Sequence, residues 1–276
     1  MKKQLRKSTE FLVNTIAALF PKKTQKARFL SMVSSVLIHK NNTISYDPEH
    51  DMYWLKSNGS HLYMVKEPYF YFSKTKLYNG IKRIACKHYL PQKGDVIVDV
   101  GAGIGTETLF FNEHVQKEGK IYSIEASKAS HEKLQELCVK NNIQNSENLH
   151  MAITDHNQEV WIEESDRYQV DAVNKNAKGT KVDGITLDHL VKVKNIDKID
   201  FLKANIEGSE LPMIDGMRNA IKITKHIAVS CHDFLFEDNR QIKEKMSQFL
   251  VANGFEVFYN NTGHQVVDSW IYGKRT

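Results

Sequence analysis

Val96-Ile97-Val98-Asp99-Val100-Gly101-Ala102-Gly103-Ile104-Gly105 is the stretch whose reading decides the fold. An apolar, β-branched run reaches an acid and then meets three glycines at alternate positions. Thr106-Glu107-Thr108-Leu109-Phe110-Phe111 follows and reads as a helix start. A buried strand, a tight glycine turn and a helix N-terminus, in that order, let backbone come close to a bound nucleotide-like molecule. A dinucleotide turn spaces its glycines G-x-G-x-x-G. The spacing here is G-x-G-x-G after an aspartate, which disfavours an NAD-dependent oxidoreductase.

Outward from that loop, strands and helices alternate. Strands are predicted at 96–100, 120–124, 149–153, 160–162, 199–203 and 226–230, and helices at 106–116, 127–141, 187–193, 211–219 and 239–253. Residues 255–259 and 266–272 close the chain as an antiparallel pair. This pattern implies an α/β fold. It is a Rossmann-like, doubly wound, mainly parallel seven-stranded sheet with an antiparallel C-terminal strand. The polar stretch 163–181 has loop character. Upstream, 52–56 and 61–65 flank Ser57-Asn58-Gly59-Ser60 as a β-hairpin. The aromatic run Tyr69-Phe70-Tyr71-Phe72 leads into a helix near 77–88. Two domains are expected: an extension of helices and hairpin over 1–90, and the α/β domain over 91–276.

The 276 residues carry 38 Lys and Arg against 33 Asp and Glu, spread along the chain, so no nucleic-acid partner is expected. Three widely spaced cysteines without a C-x-x-C suit a reducing, cytoplasmic setting. Basic Met1–Lys7 precedes the mostly apolar 11–20, which is too short to span a bilayer and ends in a poor cleavage site. A second amphipathic stretch covers 27–39. Two readings stand for these segments: helices packed on the domain, or a basic interfacial helix in peripheral contact with an anionic membrane.

The Asp-then-alternate-glycine loop resembles motif I of class I S-adenosylmethionine methyltransferases. Thr186-Leu187-Asp188, followed by Lys203-Ala204-Asn205-Ile206-Glu207-Gly208-Ser209-Glu210, resembles the FkbM-type methyltransferases, which carry T-L-D and then K-x-D-x-E-G-x-E. The resemblance covers about residues 94–235. It implies S-adenosylmethionine as cofactor and O-methylation of a small-molecule or sugar/glycan hydroxyl. Gly101, Ala102, Gly103 and Gly105 would approach the cofactor. Asp99 would order the turn and face the amino-acid end. Glu125 ends the second strand about 20 residues past the loop, where an acid chelates ribose hydroxyls. Ala126, Ala152 and Ile153 would border the adenine.

The sequence departs from the family at Asn205, which stands where an Asp is usual and cannot act as a base. An alcohol is a poor nucleophile, so a base helps. His232 is the candidate, with Asp233 or Glu207 orienting it; Glu210 reads as a first-turn helix residue. Glu207, His232 and Asp233 have the donor types of a divalent-ion site, but with Asn at 205 no metal is expected. The alternative reading is a SAM-binding interaction module with little turnover.

Overall fold

The strand Val96–Val100 pairs Ile97 with Phe201 and Asp99 with Lys203 across a parallel register, and this pairing organises the larger part of the molecule. The computed structural model describes residues 2–38, 40–163, 172–174, 179–235 and 241–276. Chain contacts divide it into two units, Met1–Gly80 and Ile81–Thr276.

The first unit starts with helices α1 (Lys2–Ala18) and α2 (Lys23–Leu37). Strands β1 (Thr43–Asp47), β2 (Met52–Ser57) and β3 (Ser60–Val65) form an antiparallel sheet in chain order. The β2–β3 hairpin turns on Asn58 and Gly59, both at positive φ, as a two-residue loop matched to strand twist requires. Strand β1 was not expected from the sequence; its short TISYD run has weak alternation and gains its order from pairing with β2. Helix α3 (Lys74–Arg83) leads into the second unit. No described helix is long and apolar enough to cross a membrane.

The second unit runs through β4 (Val96–Val100), α4 (Thr106–Val115), β5 (Lys120–Glu125), α5 (Lys128–Lys140) and β6 (Ser146–His150). Next come β7 (Ala152–Ile153), β8 (Gln158–Glu163), β9 (Ala172–Asn174), β10 (Thr180–Ile185) and α6 (Leu187–Val193). The chain ends with β11 (Ile199–Ala204), α7 (Glu210–Gly216), β12 (Thr224–Ser230), α8 (Ile242–Ala252), β13 (Phe255–Tyr259), the single turn α9 (Gln265–Asp268) and β14 (Trp270–Arg275). Seven strands form the main sheet in the order β13-β14-β12-β11-β4-β5-β6. All neighbours are parallel except β14, which is antiparallel to both β12 and β13. The doubly wound sheet with an antiparallel C-terminal strand is therefore the observed fold.

Period-two alternation assigns the two faces. Val98, Val100, Leu202, Ala204, Ile227 and Val229 join the apolar residues of α6, α7 and α8 in the main core. Ile97, Asp99, Phe201 and Lys203 lie on the other face, where Phe111 of α4 meets Phe201 edge-on.

The single strand expected at 149–153 is two strands. β6 stays in the main sheet, while β7 pairs with β10 in a second sheet ordered β7-β10-β8-β9. Most of the loop expected at 163–181 lies outside the described residues; Ala172–Asn174 and the start of β10 within it are strand.

The T-L-D segment has a structural task. Thr186 caps α6 by accepting from His189 N–H at 3.0 Å. The Asp188 carboxylate accepts from the backbone N–H groups of Asn219 (2.8 Å) and Ala220 (2.7 Å) and from the Asn219 side chain (3.0 Å). It thereby satisfies amides that open the next helical turn, Ala220–Ile223. Asp188→Ala is expected to cost about 1–2 kcal/mol. Denaturant titration should show this loss while cofactor affinity stays unchanged.

Candidate active site

The glycine loop is held from below by a buried cation. Lys203 is 0% exposed. Its ammonium contacts Asp99 Oδ1 at 2.9 Å and Glu107 Oε2 at 2.8 Å and donates to the Gly101 carbonyl at 2.9 Å. Asp99 is equally buried, and its Oδ2 has no hydrogen-bond partner among the described residues. Burial raises the Asp99 carboxyl above the usual carboxylate range, against the opposing charge of Lys203. Burial would lower the Lys203 pKa, but the charges of Asp99 and Glu107 outweigh it and push the value up, so the amine stays cationic.

Lys203 was missed in the sequence, although a signal was present. It is in phase with Phe201 on a strand covered on both faces. A lysine there has to be buried, and a buried lysine needs carboxylates.

The turn itself is shaped by close backbone approach. Gly101 has φ +76°, and a Cβ there would sit 2.1 Å from the Asn205 carbonyl oxygen. Gly103 has φ +57°, and a Cβ would meet nothing within 4 Å, so this glycine borders open space. The N–H groups of Gly101 and Ala102 both donate to the Ile124 carbonyl, at 2.9 and 3.0 Å. Gly105 precedes α4 at φ +87°.

Glu125 closes the loop from the end of β5. Its Oε2 accepts from Gly103 N–H at 2.7 Å and its Oε1 from Ser127 N–H at 2.8 Å. Ala126 is half-buried, and its carbonyl contacts the His150 Nε2 at 3.1 Å. Ala152 and Ile153 are buried and use backbone groups to pair with Gly184 and Ile185 of β10.

A second group gathers where β11 and β12 end, one and two strands from the glycine loop. His232 is 4% exposed. Its Nδ1 lies 2.6 Å from Glu210 Oε1, so with Glu210 ionised Nδ1–H donates and neutral His232 presents Nε2 as acceptor. That Nε2 lies 3.5 Å from Glu207 Oε2 and 3.5 Å from Ser230 Oγ. Burial lowers the imidazole pKa, but the hydrogen bond and charge of Glu210, with the charge of Glu207, outweigh it, so His232 sits above its ordinary value.

Glu207 and Gly208 both have positive φ, at 49° and 97°. For a non-glycine residue this backbone costs of order 1 kcal/mol, and such strain concentrates at functional sites. Asn205 continues the parallel pairing by donating its N–H to the Val100 carbonyl at 3.0 Å; its side chain is half-buried.

Two assignments from the sequence change here. Glu210, read as an ordinary first-turn residue, is fully buried and bonded to His232. Asp233, expected to orient His232, instead accepts from the backbone N–H groups of Ile242 and Lys243 at the start of α8. Adjacent residues point apart here, so the carboxylate beside the histidine comes from the neighbouring strand's loop.

The methyltransferase FkbM domain family matches residues 99–257. The chain belongs to this family. Its cofactor is therefore S-adenosylmethionine, and the loop fits it: Gly103 borders open space and Glu125 places a carboxylate at the strand end. Among solved structures, the FkbM methyltransferase from Methylobacillus flagellatus KT is similar, with TM-score 0.50 and 15% identity, over 95% of this chain and 57% of that one. A fibrillarin from Aeropyrum pernix with natively bound S-adenosyl-L-methionine has TM-score 0.47 and 13% identity, over 84% of this chain and 97% of that one. A putative rRNA-methylase from Clostridium thermocellum has TM-score 0.46 and 15% identity, over 73% and 95%. No curated protein matches the chain.

Lys203→Met should leave Asp99 and Glu107 uncompensated and cost about 3–5 kcal/mol. Thermal denaturation should show a clear drop in Tm, partly restored when Asp99→Asn is added. An unaffected single variant would show that the buried cluster does not hold the loop.

Proposed function

We propose that this methyltransferase moves the methyl group to a hydroxyl of a small molecule or sugar/glycan, with His232 as general base. The observation that carries this reading is the Glu210–His232–Glu207 arrangement at the strand ends beside the glycine loop. S-adenosylmethionine, when bound, supplies a sulfonium-activated methyl to a nucleophile aligned opposite the sulfur. An alcohol needs its proton taken as it attacks, and an oriented imidazole suits that task.

In this reading Glu210 fixes the tautomer through Nδ1 and leaves Nε2 to accept the hydroxyl proton. Glu207, beside Nε2, stabilises the imidazolium that forms. Glu125 accepts from the ribose hydroxyls. Gly101, Ala102, Gly103 and Gly105 let the cofactor lie close to the backbone. The orphaned oxygen of Asp99 serves the amino-acid end, directly or through water. Ala126, Ala152 and Ile153 border the adenine. Asn205 can hydrogen-bond the cofactor's amino group or the substrate hydroxyl, but takes no proton.

Charge supports a small polar substrate over a nucleic acid. Residues 81–276 carry 25 Lys and Arg against 28 Asp and Glu, so this unit has no cationic excess to offer phosphates. Asn205 favours a second reading, a module that binds the cofactor without turnover.

Release of S-adenosylhomocysteine across sugars and glycosides tests both readings. His232→Ala should lower kcat by about 10²–10⁴-fold with cofactor affinity unchanged. Full activity in that variant together with loss in Glu207→Gln would move the base to Glu207. Cofactor binding without release on any hydroxyl substrate would favour the non-catalytic module.

The pH profile has a defined sign. Only neutral His232 accepts a proton, and its pKa lies above the ordinary 6.5. Activity should therefore rise with pH through a limb above that value, and Glu210→Gln should move the limb to lower pH.

A further inference from the structure

Both N-terminal helices present apolar residues on two sides, and only one side is buried. In α1, Val13 and Ala17 are buried, while Phe11 is 76% exposed and Leu12 and Ile16 are also exposed; Leu19, in the turn just past the helix, is 76% exposed. Leu12, Ile16 and Leu19 follow i, i+4, i+7 spacing, so they form one continuous stripe. In α2, Ala27, Leu30 and Ser34 are buried. Met32 and Val36 are exposed one turn apart, Val36 at 77%, and Leu37 and Ile38 extend the apolar surface. Scattered exposed apolar residues are ordinary on a protein surface, but stripes on consecutive helices mark a contact surface.

Charge identifies the partner. Nine of the 38 Lys and Arg fall in residues 1–40, with one of the 33 Asp and Glu. Lys23 and Lys26 are paired with Asp51 and Glu67. Lys22, Arg28 and Lys40 are exposed, and Arg28 stands one turn from exposed Met32 on the same helix. A second copy of the chain would bring like charges together. A nucleic acid would leave the apolar stripes uncovered. An anionic bilayer takes both, with apolar side chains in the acyl boundary and cations at the headgroups. We infer that the exposed faces of α1 and α2 form a docking surface for an anionic lipid membrane.

The test is flotation of the full-length protein with phosphatidylcholine vesicles, with and without phosphatidylserine. Binding to the serine-containing vesicles is expected, weakening as salt is raised. A stripe variant, Leu12→Gln with Leu19→Gln and Val36→Gln, and a charge variant, Lys22→Glu with Arg28→Glu, should each bind at least about tenfold more weakly. All substituted residues are exposed, so circular dichroism melts and S-adenosylmethionine affinity should match the parent. Three outcomes would overturn the proposal: no preference for anionic vesicles, a stripe variant that binds like the parent, or a dimer in solution that the stripe variant dissolves without any vesicle binding.

Discussion

The ammonium of Lys203 has no path to water, and oxygens from three segments surround it at 2.8–2.9 Å. They come from Asp99 on β4, Gly101 in the turn and Glu107 in the first turn of α4. A desolvated cation with fewer oxygens would be expensive to keep, so the strand end, the turn and the helix start are tied to one another. From above, Asn205 places its carbonyl where any Cβ on Gly101 would have to be. The loop is thus clamped between β11 and its own strand, with an open flank at Gly103.

The same strand builds the other half of the site. β11 carries Lys203 into the sheet and then delivers the 205–210 turn beyond its end. That turn runs through two left-handed residues, Glu207 and Gly208, before α7 begins at Glu210. The reversal places two carboxylates against one imidazole just past the end of β12, one at each ring nitrogen. A single strand therefore links the glycine loop to the proposed base, with spacing set by neighbouring strands about 5 Å apart.

Much of this was legible in the residues. The β-branched run into alternate glycines announced the strand, turn and helix around Gly101. Glu125 was readable as the acid at the end of the second strand, and alternation of apolar runs with helical periodicity implied the sheet and a closing antiparallel pair, although the expected strand over 266–272 starts only at Trp270, after the turn Gln265–Asp268. The pairing of side chains across strands was less accessible. Asp233 neighbours His232 in sequence yet caps α8, while Glu210, 22 positions away, bonds the ring. Lys203 read as part of a motif, and its burial followed only once β4 and β11 were neighbours. The second sheet was hidden because β7 is two residues long and its partner β10 lies some thirty residues on.

Local chemistry by itself determined most of the elements, the glycine turn and the family, because helix and strand periods and positive-φ demands are properties of consecutive residues. The tertiary structure decided which charges meet. Carboxylates and cations act across strands and around turns, and distance in space rather than position in the chain selects their partners. That is why the motif from Lys203 to Glu210 could be recognised in the sequence, while its division into a buried clamp and a histidine-orienting pair required the fold.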